Sequence, residues 1–153
     1  MTYIKTFSSP VGALTVKSDG AAVTEIIFGD LAGRDDLPIL NEAEKQLGEY
    51  FCGTRRDFDL PIVISGTAFQ VKVWAALRKI PYGETVSYKT LAEMVGNEKA
   101  CRAVGMANNK NKIPIIVPCH RVINADGTLG GFSDGAAIKK ILLNTERGKR
   151  DDK

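Results

Sequence analysis

Ser87-Tyr88-Lys89-Thr90-Leu91-Ala92-Glu93-Met94-Val95-Gly96-Asn97-Glu98-Lys99-Ala100-Cys101-Arg102-Ala103-Val104-Gly105-Met106-Ala107-Asn108 is the stretch that decides the fold. A serine hydroxyl accepts a backbone N–H from the turn that follows it, so Ser87 caps a short helix, Tyr88–Val95, which Gly96 stops. Asn97 is placed to cap a second helix, roughly Glu98–Asn108. Two short helices joined through Gly96-Asn97 have the form of a helix-turn-helix, although two packed surface helices share the pattern. In the second helix Ala100, Ala103, Gly105 and Ala107 are small, while Lys99 and Arg102 are cationic. Small residues let a helix backbone come close to a partner, and cations meet phosphates or take the place of a displaced base. A tight helix–helix contact would use the same small face.

Upstream of this pair, Thr67-Ala68-Phe69-Gln70 has the spacing of a capping box. Phe69, Val73, Leu77 and Ile80 then recur at helical intervals until Pro81 forces an end. Asp59–Gly66, with Pro61 and Gly66, reads as a linker, which divides the chain into residues 1–66 and 67–153. The first third reads as an antiparallel meander, Tyr3–Ser8, Ala13–Lys17 and Ala22–Phe28, with turns at Ser9-Pro10-Val11-Gly12 and Ser18-Asp19-Gly20. Asn41-Glu42-Ala43-Glu44 has capping-box spacing and opens a helix with the apolar stripe Leu40, Ala43, Leu47 and Tyr50/Phe51. Downstream, Ala136–Thr145 reads as an amphipathic helix that turns Ile138, Ile141 and Leu142 inward and Lys139 and Lys140 outward. The fold class is therefore α+β, a small sheet-plus-helix unit followed by a mainly helical one.

The 153 residues are 44% hydrophobic and 25% charged, the balance of a soluble globular protein, and no apolar run is long enough to span a bilayer. Neither a membrane nor a secretory leader is expected. Cys52, Cys101 and Cys119 form no CxxC pair and leave one thiol over in any pairing, which suits a reducing compartment. With one histidine and no clustered cysteines, no metal is expected. The net charge of +3 is unevenly spread. Residues 1–66 carry 6 basic and 10 acidic side chains, net −4, and the remainder carry 15 and 8, net +7. A basic half suits a polyanionic partner.

The sole histidine stands in Pro118-Cys119-His120-Arg121-Val122, directly after the apolar run Ile113-Pro114-Ile115-Ile116-Val117. A thiolate is the reactive form of cysteine, and a thiol of ordinary pKa supplies little of it at neutral pH, so a base beside it changes the chemistry. A structural cysteine packed next to a surface histidine would give the same five residues.

Taken in order, these landmarks resemble the O6-alkylguanine-DNA alkyltransferases, also called methylated-DNA–protein-cysteine methyltransferases. The matching blocks are Phe69-Gln70 with Val73-Trp74, Ile80-Pro81-Tyr82-Gly83-Glu84-Thr85, Ser87-Tyr88, Leu91-Ala92 and Arg102-Ala103-Val104-Gly105. They continue through Asn111, Ile116-Val117-Pro118-Cys119-His120-Arg121-Val122, Gly130-Gly131-Phe132-Ser133, and Leu142-Leu143 to Glu146. The match is weaker in the first 66 residues. The resemblance implies a ribonuclease-H-like N-terminal domain and a winged-helix-like C-terminal domain with the helix-turn-helix.

It implies an activity too: single-turnover, irreversible transfer of an alkyl group from O6-alkylguanine in duplex DNA to Cys119, with no cofactor. O4-methylthymine is a further candidate lesion. His120 would reach the sulfur through a bridging water, and Glu146 would orient and charge His120. Asn111 would brace the turn, and Tyr88 would bond and protonate the purine. Pro114 and Phe132 would wall the pocket, Ser133 and the backbone around Val122 would read the base, and Lys139 would lie near it. Arg102 would fill the stack vacated by the flipped nucleotide, while Ala103 and Gly105 sit in the minor groove. Lys99, Arg121 and Tyr88 complete the expected DNA contacts. The resemblance also implies a monomer working in the cytoplasm. Met106 and Asp134 depart from the family pattern. Two rivals remain at this point, a Cys–His hydrolase and a non-catalytic lesion-recognition protein.

Overall fold

The computed structural model describes residues 1–130 and 135–148, so Phe132, Ser133 and Asp134 lie outside the described residues. The chain forms two compact units, Met1–Ile64 and a second from Ser65 onward.

In the first unit, β1 (Tyr3–Ser9), β2 (Gly12–Ser18) and β3 (Val23–Phe28) form an antiparallel meander in the order β1-β2-β3. Gly12 turns the first hairpin at φ +92°, a conformation glycine adopts without a Cβ penalty. Leu14 and Val16 alternate with Thr15 along β2, so the two leucine-side residues share one face. All three are fully buried. The helix α1 (Pro38–Phe51) packs on this sheet through Leu40, Ala43, Leu47 and Tyr50. Burial of each large side chain stabilises the unit by about 2 kcal/mol. The helix opens earlier than its capping-box spacing suggested. Leu37 is the N-cap without a side-chain bond, and Pro38 begins the helix, where its missing N–H costs nothing. Asn41 therefore lies inside the first turn, donating to Asp36 and accepting from Lys5. Part of the expected linker is docked as well, because Val23 and Ile62 form a parallel bridge.

In the second unit, α2 (Ala68–Leu77) has the predicted capping box, Thr67 and Gln70 bonding each other's backbone. Its buried face is Val73, Trp74, Ala76 and Leu77, and Phe69 stays 36% exposed at the rim. β4 (Val86–Ser87) pairs in parallel with β5 (Val122–Ile123). Ser87 then caps α3 (Tyr88–Met94) by accepting from Thr90 N. The next helix, α4 (Cys101–Asn109), starts three residues later than expected. Asn97 does not cap it; its side chain takes Lys99 N–H and its carbonyl takes Ala100 N–H, which uses up the segment in a turn. α3 and α4 pack on each other and on α2, giving the helix-turn-helix. The last helix, α5 (Ala136–Glu146), buries Lys139, Leu142, Leu143 and Glu146. Its inner face is thus rotated from the expected Ile138–Ile141–Leu142 stripe, and Lys139 points in, fully buried. Among the described residues no helix is long and apolar enough to cross a membrane.

Candidate active site

The segment leading to Cys119 is a chain of tight turns rather than an extended run. Val117 N bonds Ile113 O, Ile116 N bonds Pro114 O, and Cys119 N bonds Val117 O at 2.8 Å. Ile115 sits at φ +74°, a left-handed conformation that a β-branched residue adopts only when its surroundings force it. Asn111 supplies part of that force. Its Oδ1 accepts from Ile113 N at 2.9 Å and its Nδ2 donates to Val117 O at 2.7 Å, closing the loop over one side chain.

Cys119, His120 and Arg121 then make a single 3₁₀ turn. Cys119 is 4% exposed, and His120 is sealed from solvent. The imidazole Nε2 meets Glu146 Oε2 at 2.5 Å, while Nδ1 has no partner among the described residues. Glu146 comes from the end of α5 and accepts hydrogen bonds from His120, from Arg121 Nε at 2.9 Å, from Arg121 Nη2 at 3.1 Å, and from Gly83 N at 3.1 Å. Burial alone would raise its carboxyl, but the bonds and charge of His120 and Arg121 outweigh that and pull it down to about 2. Burial holds His120 below its usual value despite the neighbouring carboxylate. The resting pair is therefore a neutral imidazole that donates from Nε2 to an ionised Glu146, whose charge Arg121 balances. That tautomer leaves a lone pair on Nδ1, the atom a base needs.

Two further groups share the field of the cysteine. Lys139 Nζ donates to Val122 O at 2.6 Å and to Leu129 O, and burial lowers it to about 8 while negative charge on Cys119 raises it. Tyr88, at the start of α3, is raised above its ordinary value first by burial and then by the charge of Cys119, so its hydroxyl keeps its proton. A Cβ built on Gly130 would lie 3.3 Å from that hydroxyl, and one on Gly105 would lie 3.7 Å from the ring. A buried thiol, a neutral base tied to a carboxylate, and a protonated phenol in one field can move an electrophile onto sulfur.

The family model for the 6-O-methylguanine DNA methyltransferase DNA-binding domain matches residues 68–148, and that for the ribonuclease-like domain of the same methyltransferase matches residues 2–64. The chain belongs to this family. It is 43% identical to the methylated-DNA–protein-cysteine methyltransferase of Methanosarcina acetivorans, over 94% of this chain and 97% of that one. It is equally identical to the constitutive methylated-DNA–protein-cysteine methyltransferase of Bacillus subtilis, over 96% of each. The crystal structure of the Mycobacterium tuberculosis O6-methylguanine methyltransferase superposes with a TM-score of 0.88 at 39% identity, covering 100% of this chain and 97% of that one. The Mycobacterium tuberculosis protein in complex with DNA gives 0.90 at 41% identity, covering 98% and 96%.

Within this alkyltransferase fold the predicted residues divide into two groups. Cys119, His120 and Glu146 are drawn together, with Asn111, Tyr88, Pro114, Val122 and Lys139 around the same turn; Pro114 and Val122 are buried. Lys99, Arg102 and Ala103 are exposed on or just before α4, and Gly105 is half-buried. Arg121, expected among the DNA contacts, falls in neither group. Instead of facing DNA it is 7% exposed, its guanidinium committed to Glu146 and to Ile80 O at 2.7 Å and lying 5.7 Å from the centre of the Tyr82 ring. A charge so enclosed by internal acceptors holds Glu146 rather than phosphate.

Three contacts were not foreseen from the sequence, although Trp74 and Gly83 stand among its landmarks. Gly83 bonds Glu146 through its backbone, Trp74 Nε1 donates to Ala107 O at 2.8 Å, and Asn108 Nδ2 donates to the Cys119 carbonyl at 3.3 Å. Asn108 carried a local signal of its own, a polar residue sharing the buried face of Val104 and Ala107.

Proposed function

We propose that this chain repairs duplex DNA by taking the alkyl group of O6-alkylguanine onto Cys119, once per molecule and irreversibly. The thiol proton passes through a bridging water to Nδ1 of His120, and Glu146 stabilises the imidazolium that forms. The thiolate attacks the alkyl carbon, an S–C bond forms as the C–O6 bond breaks, and the electron pair leaves with the purine. Tyr88 passes its proton to the departing purine and the proton held on His120 then restores the phenol through solvent, so that in net terms the thiol proton ends on guanine. No cofactor takes part. The arrangement of Cys119 beside a sealed His120–Glu146 pair carries this reading.

Residues 67–153 hold the chemistry and the DNA contacts, and residues 1–66 form a separate accessory domain. The damaged nucleotide turns out of the stack, at a cost of a few kcal/mol that is smallest where pairing is already weak. Arg102 fills the gap, Ala103 and Gly105 lie in the minor groove, and Lys99 meets phosphate. Pro114 walls the pocket, the backbone around Val122 reads the turned-out base, and Lys139 braces that backbone. The protein acts as a monomer in the cytoplasm, where reducing conditions keep the acceptor sulfur available. O4-methylthymine is a second lesion of the same chemical kind.

The test is intact mass after incubation with a duplex containing one O6-methylguanine. One methyl should appear, mapped to Cys119, with none on Cys119→Ala. Multiple turnover on an activated ester would favour hydrolysis instead, and lesion binding with no gain of mass would make the chain a recognition protein.

A further inference from the structure

Asn108 is 1% exposed on the inner face of α4, and its Nδ2 donates to the backbone carbonyl of Cys119. Its Oδ1 has no hydrogen-bond partner among the described residues. A leucine would fill much the same space without burying an unpaired oxygen, so an amide here is a net burden unless its donor is used. The geometry gives that use. Asn108 and Asn111, three residues apart, hold the carbonyls of Cys119 and Val117, the two on either side of Pro118. Trp74 fixes the neighbouring Ala107 carbonyl, which keeps this end of α4 from shifting. The helix that exposes Arg102, Ala103 and Met106 thus reaches the peptide of the cysteine through one side chain.

We propose that Asn108 is a positioning residue, fixing the Cys119 peptide to α4 so that seating of this helix on a duplex and the aim of the thiol are set together. This rests on the alkyltransferase reading above. Two variants test it in single-turnover transfer from a duplex carrying O6-methylguanine, with the saturating rate and the half-saturating concentration measured separately. Asn108→Leu removes the donor at similar size. Its saturating rate should fall by about tenfold or more while half-saturation moves less than about twofold. Asn108→Asp donates to the carbonyl only when protonated and repels it when ionised. Its rate should therefore fall between about pH 6 and pH 9, where a thiol-limited wild type does not fall.

A Leu variant within about twofold of wild type in rate, equal losses in rate and affinity, or an Asp variant whose profile parallels wild type would each overturn the inference. If circular dichroism finds the Leu variant unfolded, the Asp profile decides alone. Failure of wild type to gain a methyl would sink the alkyltransferase reading itself; methylation of wild type with an unchanged Leu variant would sink only the role of Asn108.

Discussion

Glu146→Gln keeps the size of a buried side chain and removes its charge, and the surroundings make the cost calculable. Gln has one acceptor oxygen and one NH2 group. Set at Oε1, the NH2 group opposes Arg121 Nε–H and Gly83 N–H; set at Oε2, it opposes His120 and Arg121 Nη2. In the second orientation the amide can donate to His120 Nε2 only if the ring moves its proton to Nδ1, which removes the base. Either way Arg121 keeps a buried charge without its counter-charge, a loss of about 3–5 kcal/mol.

The lowered carboxyl of Glu146 gives a second figure from the same contacts. Its pKa of about 2 against an ordinary 4.5 corresponds to stabilisation on the order of 3 kcal/mol. The folded carboxyl binds its proton more weakly than the unfolded one, so this contribution is complete above pH 4.5 and disappears as pH falls toward 2. His120, held neutral by burial, weakens both proteins as pH drops below 6.5. At neutral pH the variant should melt about 6–12 °C lower. Urea unfolding followed by circular dichroism should give a gap on the order of 3 kcal/mol at pH 7 that narrows steadily below pH 4.5. The saturating transfer rate should fall by about 100-fold with lesion affinity retained. A gap below about 1 kcal/mol at pH 7, or one equally large at pH 3, would refute the reasoning.

Three other outcomes are expected. Arg121→Met should slow transfer while leaving the dependence of DNA affinity on salt unchanged, whereas Arg102→Ala should lower that slope by about one, measured by anisotropy titrations over a salt series. Tyr88→Phe should reduce the rate of transfer by about tenfold or more with little change in lesion binding, and in wild type the Tyr88-dependent advantage should persist to above pH 10, since its proton is held beyond the ordinary value. Gly130→Ala would place a Cβ 3.1 Å from Asn124 Oδ1 and 3.3 Å from the Tyr88 hydroxyl, at φ +71°. It should cost about 1 kcal/mol or more in stability and slow transfer by shifting that hydroxyl, as melting and rate measurements on one preparation would establish.

Much of the fold is legible from local signals because those signals have local causes. The capping box at Thr67, the cap at Ser87 and the hairpin turn at Ser9–Gly12 depend on neighbours within a few residues, and they appear where their spacing puts them. Errors arise where a competing local signal wins or a distant partner decides. Pro38 starts α1 ahead of Asn41, and the turn bonds of Asn97 delay α4. Lys139 and Arg121 look like surface cations in the sequence, yet two carbonyls and a carboxylate draw them inward. Nothing near either residue in the chain announces those acceptors. The His120–Glu146 pairing likewise spans 26 positions and was readable only through the resemblance.

The chain has a single tryptophan, and it is buried with its indole N–H on the last full turn of α4. That placement turns Trp74 into a native optical probe. Emission colour and lifetime respond to small changes in the polarity and hydrogen bonding of an indole, so engagement of a duplex by α4 would be recorded without any dye. Stopped-flow mixing could then time each stage of one molecule's only catalytic event.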